Sequence, residues 1–118
     1  MIKGKYIYLG CNLYKFVNPH KFDLSEAVSL INVMTGEFAR HRDGIIIDSS
    51  YEADELFLYD SSFKFQVIDN SVTLFCTNPG MQMHYIADCN GVLRIVQGEQ
   101  FSNYLSLFPI LDKEATFV

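Results

Sequence analysis

The chain has 118 residues, of which 49% are hydrophobic and 19% charged, and its formal net charge is −5. This length is typical of one domain, and the apolar content is too high for a disordered chain, so we expect a single domain over residues 1–118. The negative charge argues against nucleic-acid binding, which requires a basic surface. No apolar run approaches the roughly 18 residues of a membrane helix, so no contact with a membrane is expected.

The N-terminus and the cysteines favour a cytoplasmic location. Residues 1–5 are basic like the start of a signal peptide, but residues 6–12 are too short and too polar for its apolar segment. Cys11, Cys76 and Cys89 are an odd number without the spacing of a disulfide framework. We therefore expect reduced thiols and a cytoplasmic protein.

The first third of the chain predicts one strand and one helix. Residues 5–9 carry strand-forming side chains and end at Gly10, whereas residues 11–22 suggest a loop or a short irregular strand. Asp23 and Glu26 have the spacing of a capping box, which satisfies free backbone N–H groups at a helix start. The apolar residues that follow recur at helical spacing: Leu24, Ala27, Val28, Ile31 and Met34. These features predict an amphipathic helix over 23–35.

From Ile45 onward the pattern changes to strand-sized blocks, at 45–48, 55–60, 63–68, 72–77, 83–89 and 92–97. Asn90-Gly91 suits a two-residue type I′ turn, which sets Cys89 opposite Val92 and Ile86 opposite Ile95. A second short helix is expected near 99–108, limited by Pro109. The predicted fold class is α+β: an antiparallel β-meander of about six to seven strands packed against the helix at 23–35.

Motifs for catalysis, metal binding or cofactor binding are missing from the sequence. There is no phosphate-binding glycine loop and no G-x-S-x-G nucleophile motif. His41-Arg42-Asp43 resembles a kinase triplet, but the other kinase motifs are missing. Cys76, His84 and Cys89 are the one candidate group for a soft metal, and they lack a C-x-x-C pair and a fourth ligand. We therefore predict no catalytic residue, no metal and no cofactor.

The acidity is concentrated in the middle of the chain, where residues 43–69 hold seven acidic side chains against one lysine. Within this stretch, residues 48–60 combine five carboxylates with two tyrosines. A rigid acidic surface with aromatic anchors suits a basic protein partner, because complementary charge raises the association rate and buried aromatics supply binding energy. The predicted partner-binding residues are Asp48, Tyr51, Glu52, Asp54, Glu55, Tyr59 and Asp60.

The function predicted from this segment is neutralisation of a basic protein by occlusion, in the manner of toxin-immunity proteins or phage-encoded inhibitors. This analogy rests on size, acidity and the lack of catalytic motifs. One alternative is that the acidic residues form a solvated surface that only confers solubility and has no partner. A further alternative is a small enzyme or ligand-binding domain with a pocket between the sheet and helix 23–35, where His84, Tyr85 and Asp88 could converge. A third is an oligomerising subunit with an exposed apolar face or a free strand edge.

Overall fold

A computed structural model describes residues 2–19, 27–81, 83–98 and 106–113. Of these residues 55% lie in strands and 7% in helical turns. Within these ranges the chain forms ten strands and one helix. Their bounds are β1 Tyr6–Leu9, β2 Asn12–Val17, β3 Ala27–Asn32, β4 Phe38–Arg42, β5 Ile45–Ser49, α1 Glu55–Asp60, β6 Phe63–Ile68, β7 Ser71–Cys76, β8 His84–Cys89, β9 Val92–Gln97 and β10 Phe108–Pro109.

Antiparallel pairing closes seven of these strands into a barrel. The ring runs β3-β4-β5-β9-β8-β7-β6 and returns to β3 through the pairs Ala27↔Lys64 and Val28↔Phe63. The other three strands extend this ring, with β2 on β3, β1 on β2 and β10 on β7. An isolated bridge between Tyr6 and Leu111 joins β1 to the chain that follows β10. Closure matters because it leaves fewer unpaired backbone groups at strand edges.

The core consists of large apolar side chains from strands around the ring and from β1 and β2. The largest fully buried ones include Phe16, Phe63, Leu30, Leu74 and Ile86. Each contributes about 1.5–3 kcal/mol by leaving water. Burial of these side chains stabilises the barrel, and the surface segments pack on it.

The β8-β9 hairpin confirms its predicted register, and the predicted blocks at 63–68 and 72–77 pair as a second hairpin, β6-β7. In the β6-β7 hairpin Phe65 pairs with Leu74. In the β8-β9 hairpin Ile86 pairs with Ile95 and Cys89 with Val92. Asn90 and Gly91 join β8 to β9 with φ angles of 56° and 85°, as a type I′ turn requires.

Three hairpin ends meet at one end of the barrel. The turns of β1-β2, β4-β5 and β8-β9 surround a cavity of about 280 Å³. Its lining includes Leu9 from the first hairpin, Ile46 from the second and Leu93 from the third. Asp43 and Gly44 join β4 to β5 with φ angles of 54° and 79°, the same turn chemistry as Asn90-Gly91. The three hairpins thus line one shared cavity.

The α+β prediction is wrong, because the segment assigned to the main helix forms a strand. Residues 27–32 are β3, and the proposed capping residues 23–26 lie outside the described residues. Five of the six β3 residues are buried, so both faces of the strand are covered. A strand buried on both faces has apolar residues without strict alternation, and such a pattern can match helical spacing. Met34, the last residue of the proposed apolar stripe, is 87% exposed.

Three other segments differ from their predictions or fall partly outside the described residues. Residues 55–60, predicted as a strand, form the helix α1. Segment 11–22, for which a loop or a strand was expected, contains β2. Most of the second predicted helix, 99–108, lies outside the described residues, and its last residue begins β10.

Candidate functional site

Helix α1 is capped at both ends, so that backbone groups left unpaired at its ends find hydrogen-bond partners. Asp54 is the N-cap, and its Oδ1 accepts a hydrogen bond from the backbone N–H of Phe57 at 2.8 Å. Glu55 lies in the first turn, where a carboxylate is favoured by the helix dipole. Ser61 is the C-cap and donates its backbone N–H to the carbonyl of Phe57 at 2.9 Å. A helix of six residues is too short to be stable alone, so tertiary contacts must hold it.

Phe57 supplies the main contact between α1 and the barrel. Its side chain is fully buried. The rings of Phe38 and Tyr51 meet it edge-on, with centroids 6.2 and 5.6 Å away. The Arg40 guanidinium carbon lies 5.0 Å from the centre of the Phe57 ring, within the range of a cation–π contact. These contacts fix the helix on β4.

A buried ion pair fixes the other end of α1. Arg40 Nη2 donates to Asp60 Oδ2 at 3.0 Å, and the side chains are only 3% and 6% exposed. Asn78 Nδ2 donates to the other Asp60 oxygen at 2.9 Å, and His41 Nε2 lies 2.8 Å from Asn78 Oδ1. Arg40 Nη1 also donates to the more exposed Glu52 at 3.2 Å. Asp60 is therefore a structural group inside the protein.

Asp48 is also committed to internal contacts. It accepts hydrogen bonds from the Tyr14 hydroxyl at 2.6 Å and from Asn32 Nδ2 at 2.8 Å. Burial raises the pKa of the Tyr14 hydroxyl, and the hydrogen bond to Asp48 raises that pKa further. The carboxylate thus links β5 to β2 and β3, and the tyrosine remains a neutral donor at physiological pH.

The predicted partner-binding residues therefore divide into two groups. Asp48 and Asp60 point into internal networks, while Tyr59 is half-buried. The other predicted residues, Tyr51, Glu52, Asp54 and Glu55, are exposed. With Ala53 and Leu56 they form a continuous exposed segment, 51–56, that we call the acidic edge.

Sequence reasoning missed three residues on or near the acidic edge. Leu56 is 62% exposed, beside the fully buried Phe57. Strand alternation also places the two on opposite faces, so the signal was present, but the predicted site was limited to carboxylates and tyrosines. Glu37 accepts a hydrogen bond from Ser50 at 3.4 Å, which brings another carboxylate close to the start of the edge. The turn before Glu37 carries the exposed Met34.

The residues of the alternative pocket do not come together. The proposed pocket needed helix 23–35, of which the described part is a strand. On β8, successive side chains point to opposite faces, so Tyr85 lies on the other face from His84 and Asp88. Asp88 Oδ1 accepts the backbone N–H of Gly91 at 2.8 Å and so supports the hairpin turn.

Cys76 is the most deeply buried of the three thiols. Burial, with a smaller contribution from the negative charge of Asp60, raises its pKa to about 12. It is therefore a neutral thiol at physiological pH and a poor nucleophile. Among the described residues, no group of three or more His, Cys, Asp or Glu side chains could hold a metal ion. The described part of the chain also contains no helix long and apolar enough to cross a membrane.

Comparisons with known proteins bear on the fold alone. A scan against protein-family models and a search of the curated proteins found no match. Among solved structures, the chain is similar to a designed threefold-symmetric protein, ThreeFoil, with a TM-score of 0.60 and 12% identity. The match covers 86% of this chain and 72% of ThreeFoil. The barrel is trefoil-like. This agrees with the three hairpins that meet at one end of the barrel, and it corrects the predicted meander on a helix.

Proposed function

We propose that the protein is a cytoplasmic binding module that covers a basic surface of another protein with its acidic edge. Its mode of action is occlusion, of the kind used by toxin-immunity proteins or phage-encoded inhibitors. The observation that carries the proposal is the exposure of Leu56 and Tyr51, 62% and 49%, among carboxylates on a segment pinned to the barrel.

The rigidity of the acidic edge supports binding. Phe57 and the Arg40–Asp60 pair hold α1 at both ends, so the conformation of the edge is set before a partner arrives. A surface that is already ordered loses less entropy on binding. An exposed leucine and tyrosine on such a surface can enter a partner's pocket without a large rearrangement.

The charge of the acidic edge defines the chemistry of the partner. Glu52, Asp54 and Glu55 are all exposed, so the acidic edge presents three carboxylates to solvent. Three carboxylates around two apolar side chains favour a partner with Lys and Arg around an apolar pocket. Such a surface is typical of proteins that act on nucleic acids, and covering it would block their substrate.

The test compares two triple variants that remove the same number of charges. E52Q/D54N/E55Q neutralises the acidic edge, and Asn at position 54 keeps the helix cap. D43N/D69N/D112N neutralises three exposed carboxylates elsewhere on the chain. Immobilised wild-type protein and both variants are used to capture partners from a lysate of the native host, and the captured protein is then titrated against each variant.

We expect the edge variant to lose at least about tenfold in affinity, mainly through a slower association rate at low salt. The control variant should bind within about twofold of wild type, since its charges lie off the interface. L56A should weaken binding further without changing the melting temperature. Equal losses in both triple variants would show that only net charge matters, and the acidic edge would then not be the binding surface.

A further inference from the structure

A second concave surface lies on the outer face of β6 and β7. It is a groove of about 560 Å³, within the usual range of small-molecule sites. Its lining includes Lys64 and Gln66 from β6, Phe75 from β7, and Asn78, Pro79 and Met83 from the chain that follows. Neither proposed binding surface contains a residue of the other.

The wall formed by the chain after β7 is rigid. Thr77 Oγ1 donates to the carbonyl oxygens of Tyr59 and Ser62 at 3.1 and 3.0 Å. Asn78 is held between His41 and Asp60 by hydrogen bonds of 2.8 and 2.9 Å. Both polar side chains are thus used within the protein.

Lys64 gives the groove its charge. Its side chain is exposed and pairs across the sheet with Phe75. Among the described residues no carboxylate forms a salt bridge with Lys64, and none lines the groove. On a chain with a net charge of −5, this is a locally positive site. An anionic group is the charge complement that the groove lacks.

The rest of the lining is mainly apolar. Phe75 and Pro79 form part of it, and Met83 is 41% exposed. An aromatic ring placed against Phe75 and Met83 would find ring–ring and sulfur–ring contacts.

We propose that this groove binds a small aromatic carboxylate. The ligand's ring packs on Phe75 and Met83, and its carboxylate pairs with Lys64 Nζ. This site is independent of the acidic edge and does not rest on the proposed function.

The test uses 3-phenylpropionate and its neutral analogue 3-phenylpropionamide as probes. The full chain carries methionines labelled on the methyl carbon, and each probe is titrated by NMR up to on the order of 10 mM. We expect the Met83 methyl signal to shift with the carboxylate, which should bind about fivefold more tightly than the amide. K64Q should remove that preference, and M83S should weaken both probes.

K15Q is the matched control, since Lys15 is an exposed lysine on β2 away from the groove. It should leave the preference for the carboxylate unchanged, as should E52Q/D54N/E55Q. The proposal is overturned if both probes bind equally to wild type, or if neither shifts the Met83 signal. It is also overturned if the exposed Met34 methyl shifts as much as that of Met83, or if K15Q acts like K64Q.

Discussion

Arg40 and Asp60 form an ion pair of 3.0 Å in which both side chains are almost completely buried. The pair joins β4 to the last residue of α1, the helix that carries Glu55 and Leu56 of the acidic edge. The Arg40 Nε atom is buried without a hydrogen-bond partner among the described residues, so the guanidinium depends on its two carboxylates for compensation. The pair therefore ties the geometry of the acidic edge to the interior of the barrel.

Asp60→Ala should destabilise the protein by about 3–5 kcal/mol. Removing one partner of a buried ion pair leaves the other charge buried and uncompensated. Asp60→Ala also leaves Asn78 Nδ2 without its acceptor. Urea unfolding, with the free energy extrapolated to water, measures the loss.

Glu52→Gln is the control for that measurement, because it removes the other carboxylate on the same guanidinium. The Glu52 side chain is 55% exposed, so solvent already screens the contact. We expect a change below about 1 kcal/mol. If Asp60→Ala costs no more than Glu52→Gln, the buried pair does not hold the helix in place.

Phe57→Ala should cost about 3–5 kcal/mol and release helix α1 from β4. The ring is fully buried, and its removal leaves a cavity beside Phe38, Tyr51 and Arg40. Leu56→Ala, one residue earlier, removes a side chain that is 62% exposed, and we expect a change within about 0.5 kcal/mol. Hydrogen exchange of the α1 amides checks the local effect. Equal losses for the two substitutions would contradict the difference in burial between the two side chains.

The hairpins could be predicted from sequence because their information is local. Alternation over 63–76 and the Asn90-Gly91 turn each fix a register within a few residues. Asp43-Gly44 carries the same turn signal, but the segment before it was not assigned as a strand. The β4-β5 hairpin was therefore missed although its signal was present.

Residues 27–32 were predicted as part of a helix and form β3, whereas 55–60 were predicted as a strand and form α1. Both predictions failed because burial in this barrel depends on contacts between residues distant in sequence. The Ala27–Asn32 segment is covered on both faces, which no local pattern reports. Asp54, Glu55 and Ser61 do mark a helix at 55–60, and their capping signal was outweighed by the apolar residues between them. Likewise, Asp48 and Asp60 turn inward towards Tyr14 and Arg40, partners 34 and 20 residues away in the chain. Charge density alone could not separate them from the exposed Asp54 and Glu55.

Stability should fall as the pH rises above about 9, because two buried groups keep their protons in the folded state. The pKa of the Cys76 thiol is raised from 9.0 to about 12, and that of the Tyr14 hydroxyl is raised above 10.0. The unfolded chain releases these protons first, so it binds fewer protons than the native state and is favoured as pH rises. The stabilisation that Cys76 contributes is fully present below pH 9 and is lost progressively as the pH rises from 9 to about 12. Between pH 8 and 10.5 we expect the two groups together to lower the free energy of unfolding by about 3 kcal/mol.

Tyr14→Phe separates the two contributions to this pH dependence. The variant lacks the hydroxyl that donates to Asp48, so it should be less stable at pH 8 but lose less stability at higher pH. Urea unfolding at several pH values gives both quantities. An unchanged slope in Tyr14→Phe would show that the tyrosine does not contribute.

Gly91→Ala should cost about 1–2 kcal/mol through backbone strain alone. Gly91 has φ of +85°, a conformation that disfavours a Cβ. No heavy atom lies within 4 Å of the position that the added Cβ would occupy, so steric overlap makes no contribution. Gly98→Ala is the control, since its Cβ would make an ordinary contact of 3.5 Å with the Tyr85 hydroxyl and Gly98 does not have a positive φ. Gly98→Ala should change stability by less than about 0.5 kcal/mol. If both variants lose the same amount in urea unfolding, the turn at Asn90-Gly91 does not require positive φ, and the register it sets must come from the strands.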